Sequence, residues 1–92
     1  MDFNQKIIFL ETVFAQEVDG EIVLLDMNSE NYFGLDTVGT SIWHALKKSA
    51  NLNEVLMLLL DEYEVEEEIL RKDLIIFVEN LKTNKLIKME SQ

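Results

Sequence analysis

A chain of 92 residues supports one domain with a single modest core. Its 48% hydrophobic content favours folding over disorder, and without cysteine it can form no disulfide, thiolate zinc site, iron–sulfur cluster or cysteine nucleophile. A net charge of −10 repels phosphate backbones and argues against a nucleic-acid partner.

The chain opens on Met1-Asp2-Phe3-Asn4-Gln5-Lys6, with no basic segment ahead of a long apolar one. No signal peptide is visible, and residues 1–6 read as a loose lead-in. The longest apolar run, Val55 to Leu60, is far short of the ~20 residues that span a bilayer. The expectation is a cytoplasmic protein with no membrane partner.

Ile7, Ile8, Phe9 and Leu10 form a continuous apolar run, and a first strand is placed near Thr12–Glu17. Asp19-Gly20 suits a two-residue hairpin turn, because both central residues need positive φ. Glu21 to Met27 is rich in β-formers and apolar on both faces, so it reads as a central strand. Asn28-Ser29-Glu30 is a polar turn. Asn31–Leu35 is the third strand of an antiparallel meander, with at least one edge exposed.

Helical patterns follow. Asp36 is placed to cap a helix whose apolar stripe is Val38, Ile42, Ala45 and Leu46, with Trp43 beside it. Gly39 inside that helix costs roughly 1 kcal/mol against alanine, which points to close backbone packing there. Asn51-Leu52-Asn53-Glu54 resembles a capping box, and its helix runs to about Tyr63. A third helix runs from about Glu66 to Thr83, with Asn84 as a left-handed stop. Leu86 to Met89 reads either as a short terminal strand or as a tail packed down. Three strands and then three helices predict an α+β fold. We expect a winged-helix-like arrangement, a three-stranded antiparallel sheet followed by three helices. One domain spans 1–92, with its core at about 12–88.

Signs of catalysis are lacking. His44 is the only histidine, and no serine is placed by the sequence as its partner. The carboxylates lack metal-loop spacing, and no phosphate-binding, dinucleotide or H-E-x-x-H motif occurs. No catalytic residue, metal or cofactor is expected. Residues 1–46 hold eight acids against one base, Lys6, and residues 47–92 hold ten acids and seven bases. Lys82, Lys85 and Lys88 near the end of the third helix suit solvation and the helix dipole.

Two surfaces remain open to interpretation. In the third helix Leu70, Leu74, Phe77, Val78 and Leu81 make a core-facing stripe. Beside it runs a mixed stripe of Ile69, Lys72, Asp73, Ile76 and Asn80, either a solvated margin or one wall of a groove. In the third strand Asn31, Phe33 and Leu35 share one face, Tyr32 and Gly34 the other. That strand either completes a hairpin or offers an edge for strand addition.

Several stretches resemble the PqqD-like family. Residues 23–43, VLLDMNSENYFGLDTVGTSIW, are similar to its "vLLd…g.yf.Ln..ga.iw" segment. Residues 53–65, NEVLMLLLDEYEV, resemble "tveelv..l...y.v", and residues 71–81, RKDLIIFVENL, resemble "..Dv..fl..L". Asn84-Lys85-Leu86-Ile87 stands in place of "kGLi", and Asp36 stands where the family often has Asn. The likeness covers roughly residues 12 to 88.

This resemblance implies a winged helix-turn-helix recognition element for ribosomally made, modified peptides, free-standing as in PQQ or lasso-peptide biosynthesis. It implies binding of a precursor's leader segment as a strand added to the third β-strand and packed on the third helix. Carried onto this chain, the peptide-binding residues are Asn31, Tyr32, Phe33, Gly34, Leu35, Ile69, Lys72, Asp73, Ile76 and Asn80. The implied partners are the precursor peptide and a modifying enzyme, such as a leader protease, cyclase or radical enzyme. An exposed edge permits either a monomer or a dimer. Two alternatives stand beside this reading. One is a winged-helix DNA-binding regulator, against which the third helix sets Glu66, Glu67, Glu68, Asp73 and Glu79 beside only Arg71, Lys72 and Lys82. The other is a scaffold subunit that contacts an enzyme and binds no peptide itself.

Overall fold

The structure, a computed structural model, describes residues 3–49 and 51–90. In chain order the elements are β1 (Lys6–Phe9), β2 (Val13–Val18), β3 (Glu21–Asp26), β4 (Asn31–Gly34), α1 (Thr37–Lys48), α2 (Leu52–Glu62), α3 (Glu67–Thr83) and β5 (Ile87–Glu90). The class is α+β, with three helices and two antiparallel sheets.

The expected meander is present, in the order β2-β3-β4. Asp19 and Gly20 close its first hairpin with φ of 52° and 83°, the mirror-image turn that follows strand twist. Asp26 closes the second. It is buried, and its carboxylate accepts from the Asn28 N–H at 3.1 Å and the Ser29 hydroxyl at 2.9 Å. These bonds hold the turn that launches β4.

At the chain ends the loose lead-in is overturned, and of the two readings of Leu86 to Met89 the terminal strand forms, as β5. Of the lead-in, Met1 and Asp2 lie outside the described residues, but residues 3–6 are not loose. Phe3 is buried with the Arg71 guanidinium 4.7 Å from its ring centroid, and Lys6 already belongs to β1. β1 pairs with β5, setting Ile7 opposite Met89 and Phe9 opposite Ile87, so a second two-stranded sheet adds to the expected three strands. Apolar side chains drive this pairing: Ile7 and Ile87 are buried, and Phe9 meets Trp43 edge-on at 5.0 Å.

The helices start largely as their sequences predict. The Asp36 carboxylate accepts from the Gly39 N–H at 2.8 Å, and the Asn51 side chain accepts from the Glu54 N–H at 3.1 Å. The capping box is incomplete, because the Glu54 carboxylate takes the Ser49 hydroxyl at 2.6 Å. The end of α3 differs from expectation. Asn84 has a φ of −84°, and Lys85 takes the left-handed conformation with a φ of 60°. The Leu86 N–H bonds the Leu81 carbonyl at 2.9 Å and the Lys85 N–H bonds the Lys82 carbonyl at 3.0 Å, a Schellman ending. Buried Leu86 and Leu81 supply its apolar contact, and their register places the reversal on Lys85.

Ile22 and Leu24 of β3, Ile42, Trp43 and Leu46 of α1, Val55 and Leu59 of α2, and Leu74 and Val78 of α3 form one buried core. α1 packs on α2, α2 on α3, and α3 on β5. A buried polar tie joins sheet to helix: the Ile22 N–H donates to the buried Thr40 hydroxyl at 3.0 Å. No helix among the described residues is long and apolar enough to cross a membrane.

Candidate functional site

β4 lies at one edge of the meander, paired on one side only. Its register sets Leu24 opposite Phe33 and Leu25 opposite Tyr32. The Leu35 N–H bonds the Ile22 carbonyl at 2.8 Å. Antiparallel pairs alternate between bonded and non-bonded, so Asn31, Phe33 and Leu35 direct their backbone groups at β3. The N–H and C=O groups of Tyr32 and Gly34 therefore point away from the sheet. Their side-chain directions are set by the pleat: Phe33 packs against the core, and Tyr32 is 70% exposed.

Beside this edge is a groove of about 410 Å³ between β4, the start of α1 and the face of α3. Phe33, Gly34 and Leu35 form its strand side; Asp73, Ile76, Phe77, Asn80 and Leu81 form its helix side. Ile42 contributes from α1, and Asn84 and Leu86 contribute from the end of α3. Ile76 is 58% exposed, a large apolar group on a helix face without a partner. Gly39 brings the first turn of α1 close. A Cβ there would lie 3.2 Å from both Asp36 Oδ1 and Phe77 Cε2, consistent with the close packing its sequence position predicts. At Gly34 a Cβ would meet nothing within 4 Å, so packing within the chain does not require glycine.

The residues singled out from sequence divide accordingly. Phe33, Gly34, Leu35, Asp73, Ile76 and Asn80 line one groove. Asn31 and Tyr32 continue its strand edge, while Ile69 and Lys72 are exposed on α3 outside the lining. Phe77 and Leu81 read from sequence as core, yet they also face the groove. Asp36 and Gly39 carried signals of capping and close packing, and both prove to be groove residues as well. His44 is elsewhere, on the exposed side of α1, with its Nε2 3.2 Å from Glu17 Oε1.

Residues 21–87 match the family described as coenzyme PQQ synthesis protein D (PqqD). The chain belongs to the PqqD family. Among solved structures, this PqqD-family chain is similar to TbiB1 in complex with the TbiA(beta) leader peptide. The two are 31% identical, with a TM-score of 0.83 over 88% of this chain and 94% of that one. It also shares its fold with lasso peptide synthetase B1 complexed with the leader peptide, at 24% identity and a TM-score of 0.72 over 90% and 98% of the two chains. No curated protein matches the chain.

Proposed function

We propose that this PqqD-family protein binds the leader segment of a ribosomally synthesised precursor peptide and delivers it to a modifying enzyme. The leader adds as a strand to β4 and packs against α3. The observation that carries this reading is the outward-facing backbone of Tyr32 and Gly34 immediately beside an apolar groove. The TbiB1 structure with its leader peptide supports it, being a relative similar over nearly the whole of both chains. Asn31, Tyr32, Phe33, Gly34 and Leu35 form the strand side of the proposed site, and Ile69, Lys72, Asp73, Ile76 and Asn80 form the helix side.

Backbone bonds to Tyr32 and Gly34 fix the register of the guest, and its alternate side chains enter the groove. Two or three apolar anchors contribute roughly 1.5–3 kcal/mol each. Each backbone hydrogen bond adds about 1 kcal/mol net. Ordering the leader costs roughly 2–5 kcal/mol, and association costs more. These magnitudes give dissociation constants from micromolar to below. The protein then acts as a non-catalytic, cytoplasmic recognition module with a winged helix-turn-helix arrangement.

The test is a titration of 15N-labelled protein with a synthetic leader of the precursor encoded nearest to it. The expected result is saturable shifts at Tyr32, Gly34, Ile76 and Asn80. Saturable shifts confined to other faces, or none at millimolar peptide, would sink the proposal. A gel shift with random DNA at low salt is expected to give no complex; a clear complex would favour the regulator reading.

A further inference from the structure

The groove carries charge of one sign only. Its lining holds two carboxylates, Asp36 and Asp73, and no lysine, arginine or histidine. Asp36 is occupied as the cap of α1. Asp73 is exposed and makes no ion pair or hydrogen bond with any described residue. Its neighbours at helical spacing are Ile69, Leu70, Ile76 and Phe77, all apolar, so α3 offers it no counter-charge. Lys72 is adjacent in sequence but lies outside the groove lining. Arg71 sits over the Phe3 ring and Lys47 over the Phe9 ring, so both cations are engaged away from the groove.

A guest strand packed on Ile76 and Phe77 covers Asp73 at least in part. Covering a carboxylate without a partner is unfavourable, whereas a charge-assisted hydrogen bond removes the penalty. The guest side chains that face α3 are those on the Phe33 and Leu35 side of the sheet, two residues apart. We propose that Asp73 sets the charge preference of the groove. The guest presents a lysine or arginine to Asp73 from its helix-facing row, next to apolar anchors, and an acidic residue in that position is rejected. This rests on the strand-addition reading above and assigns Asp73 the role of a specificity-determining residue within it.

The experiment uses random twelve-residue peptides displayed on phage and selected on the whole protein. Binders are kept if Ile76→Glu and Tyr32→Pro each weaken their capture. Each helix-facing position of the best binder is then set to Lys, Gln or Glu, and affinity is measured by fluorescence anisotropy. At one position Lys is expected to bind about tenfold more tightly than Glu, a ratio that shrinks as NaCl rises. Asp73→Asn should flatten the preference, and Asp73→Lys should reverse it. Asp73 is solvent-exposed in the free protein, and circular dichroism checks that the helices persist. Equal binding of Lys and Glu peptides, or a preference that Asp73→Lys leaves unchanged, overturns the inference and leaves the strand-addition reading standing. Finding no binder that depends on Ile76 and Tyr32 overturns both.

Discussion

β2 and β4 flank the same central strand, and each turns one row of backbone groups away from it. On β2 the Met27 N–H bonds the Thr12 carbonyl at 2.9 Å, so alternation leaves Val13, Ala15 and Glu17 facing outward. By length alone β2 is the better template, six residues against four for β4, although its Val13 N–H is already taken by the Leu10 carbonyl at 3.1 Å. The difference lies in what stands beside each edge. All of β2 beyond Val13 is exposed, and the side chain that reaches Glu17 is His44. β4 instead borders Ile76, Phe77 and Leu81 of α3 across a groove. On the proposed reading, free backbone groups supply register and little net energy, and the apolar wall supplies the energy and the selectivity. The proposed binding edge is therefore the one with a wall, not the longer one.

The sharpest way to break this comparison is to spoil the wall. Ile76→Glu removes an apolar anchor and puts a carboxylate where the proposed guest packs. Guest binding should weaken by about 3 kcal/mol, roughly a hundredfold, from lost burial and an unpaired charge. Ile76 is 58% exposed, so fold stability should change by no more than about 0.5 kcal/mol. Anisotropy titration and thermal unfolding separate the two effects. Unchanged affinity would show that the wall is not where the guest packs.

A second test concerns how the wall and the edge are held together. The Thr40 hydroxyl takes the Ile22 N–H that would otherwise continue the β3–β4 ladder, and so ties α1 to the sheet next to the groove. Thr40→Val keeps the shape and orphans a buried donor. The expected cost is about 2 kcal/mol, with a melting temperature roughly 10 °C lower. Chemical denaturation measures it, and a loss below about 0.5 kcal/mol would mean that Ile22 finds another acceptor.

The features legible in the sequence are those whose cause is local. Asp19-Gly20 and the capping roles of Asp36 and Asn51 are set by a few neighbouring residues, and each forms as its chemistry predicts. β1 was illegible because four residues make a strand only through a partner, and that partner, β5, lies at the other end of the chain. The αL position was misread because asparagine accepts that conformation more easily than lysine. Burial of Leu86 outweighed this preference and moved the reversal by one residue. Of the mixed stripe of α3, Asp73, Ile76 and Asn80 line the groove and Ile69 and Lys72 do not, and the double duty of Phe77 and Leu81 could not be read. Helical periodicity assigns each residue one face, and a groove cut into the margin of the core gives some residues two.

Matched prolines compare the two edges directly. Tyr32 of β4 and Ala15 of β2 both turn their N–H away from β3, so proline at either position breaks no ladder bond within the chain. Tyr32→Pro removes a donor the proposed guest strand uses and sets a ring in its path. Affinity should fall by about 1–1.5 kcal/mol, roughly five- to tenfold. Ala15→Pro should leave guest affinity within twofold. If Ala15→Pro weakens binding as much as Tyr32→Pro, the guest strand is using β2 and the comparison is inverted.

The smallest expected effect lies at the far end of the wall. Lys85 holds a φ of 60°, a conformation in which a side chain crowds the backbone and glycine does not. Leu86 depends on that reversal, since it must turn back to bond Leu81 and bury its side chain beside the groove. Lys85→Gly relieves the strain at the cost of a more flexible unfolded chain. The net gain should be about 0.5–1 kcal/mol. It would register as a higher denaturant midpoint with an unchanged slope. Lys85 is not part of the groove lining, so guest affinity should stay the same. A loss of stability would mean that the lysine side chain makes a contact outweighing its backbone strain. A change in affinity would mean that the end of α3 adjusts when the guest binds, making the wall a moving part and not a fixed one.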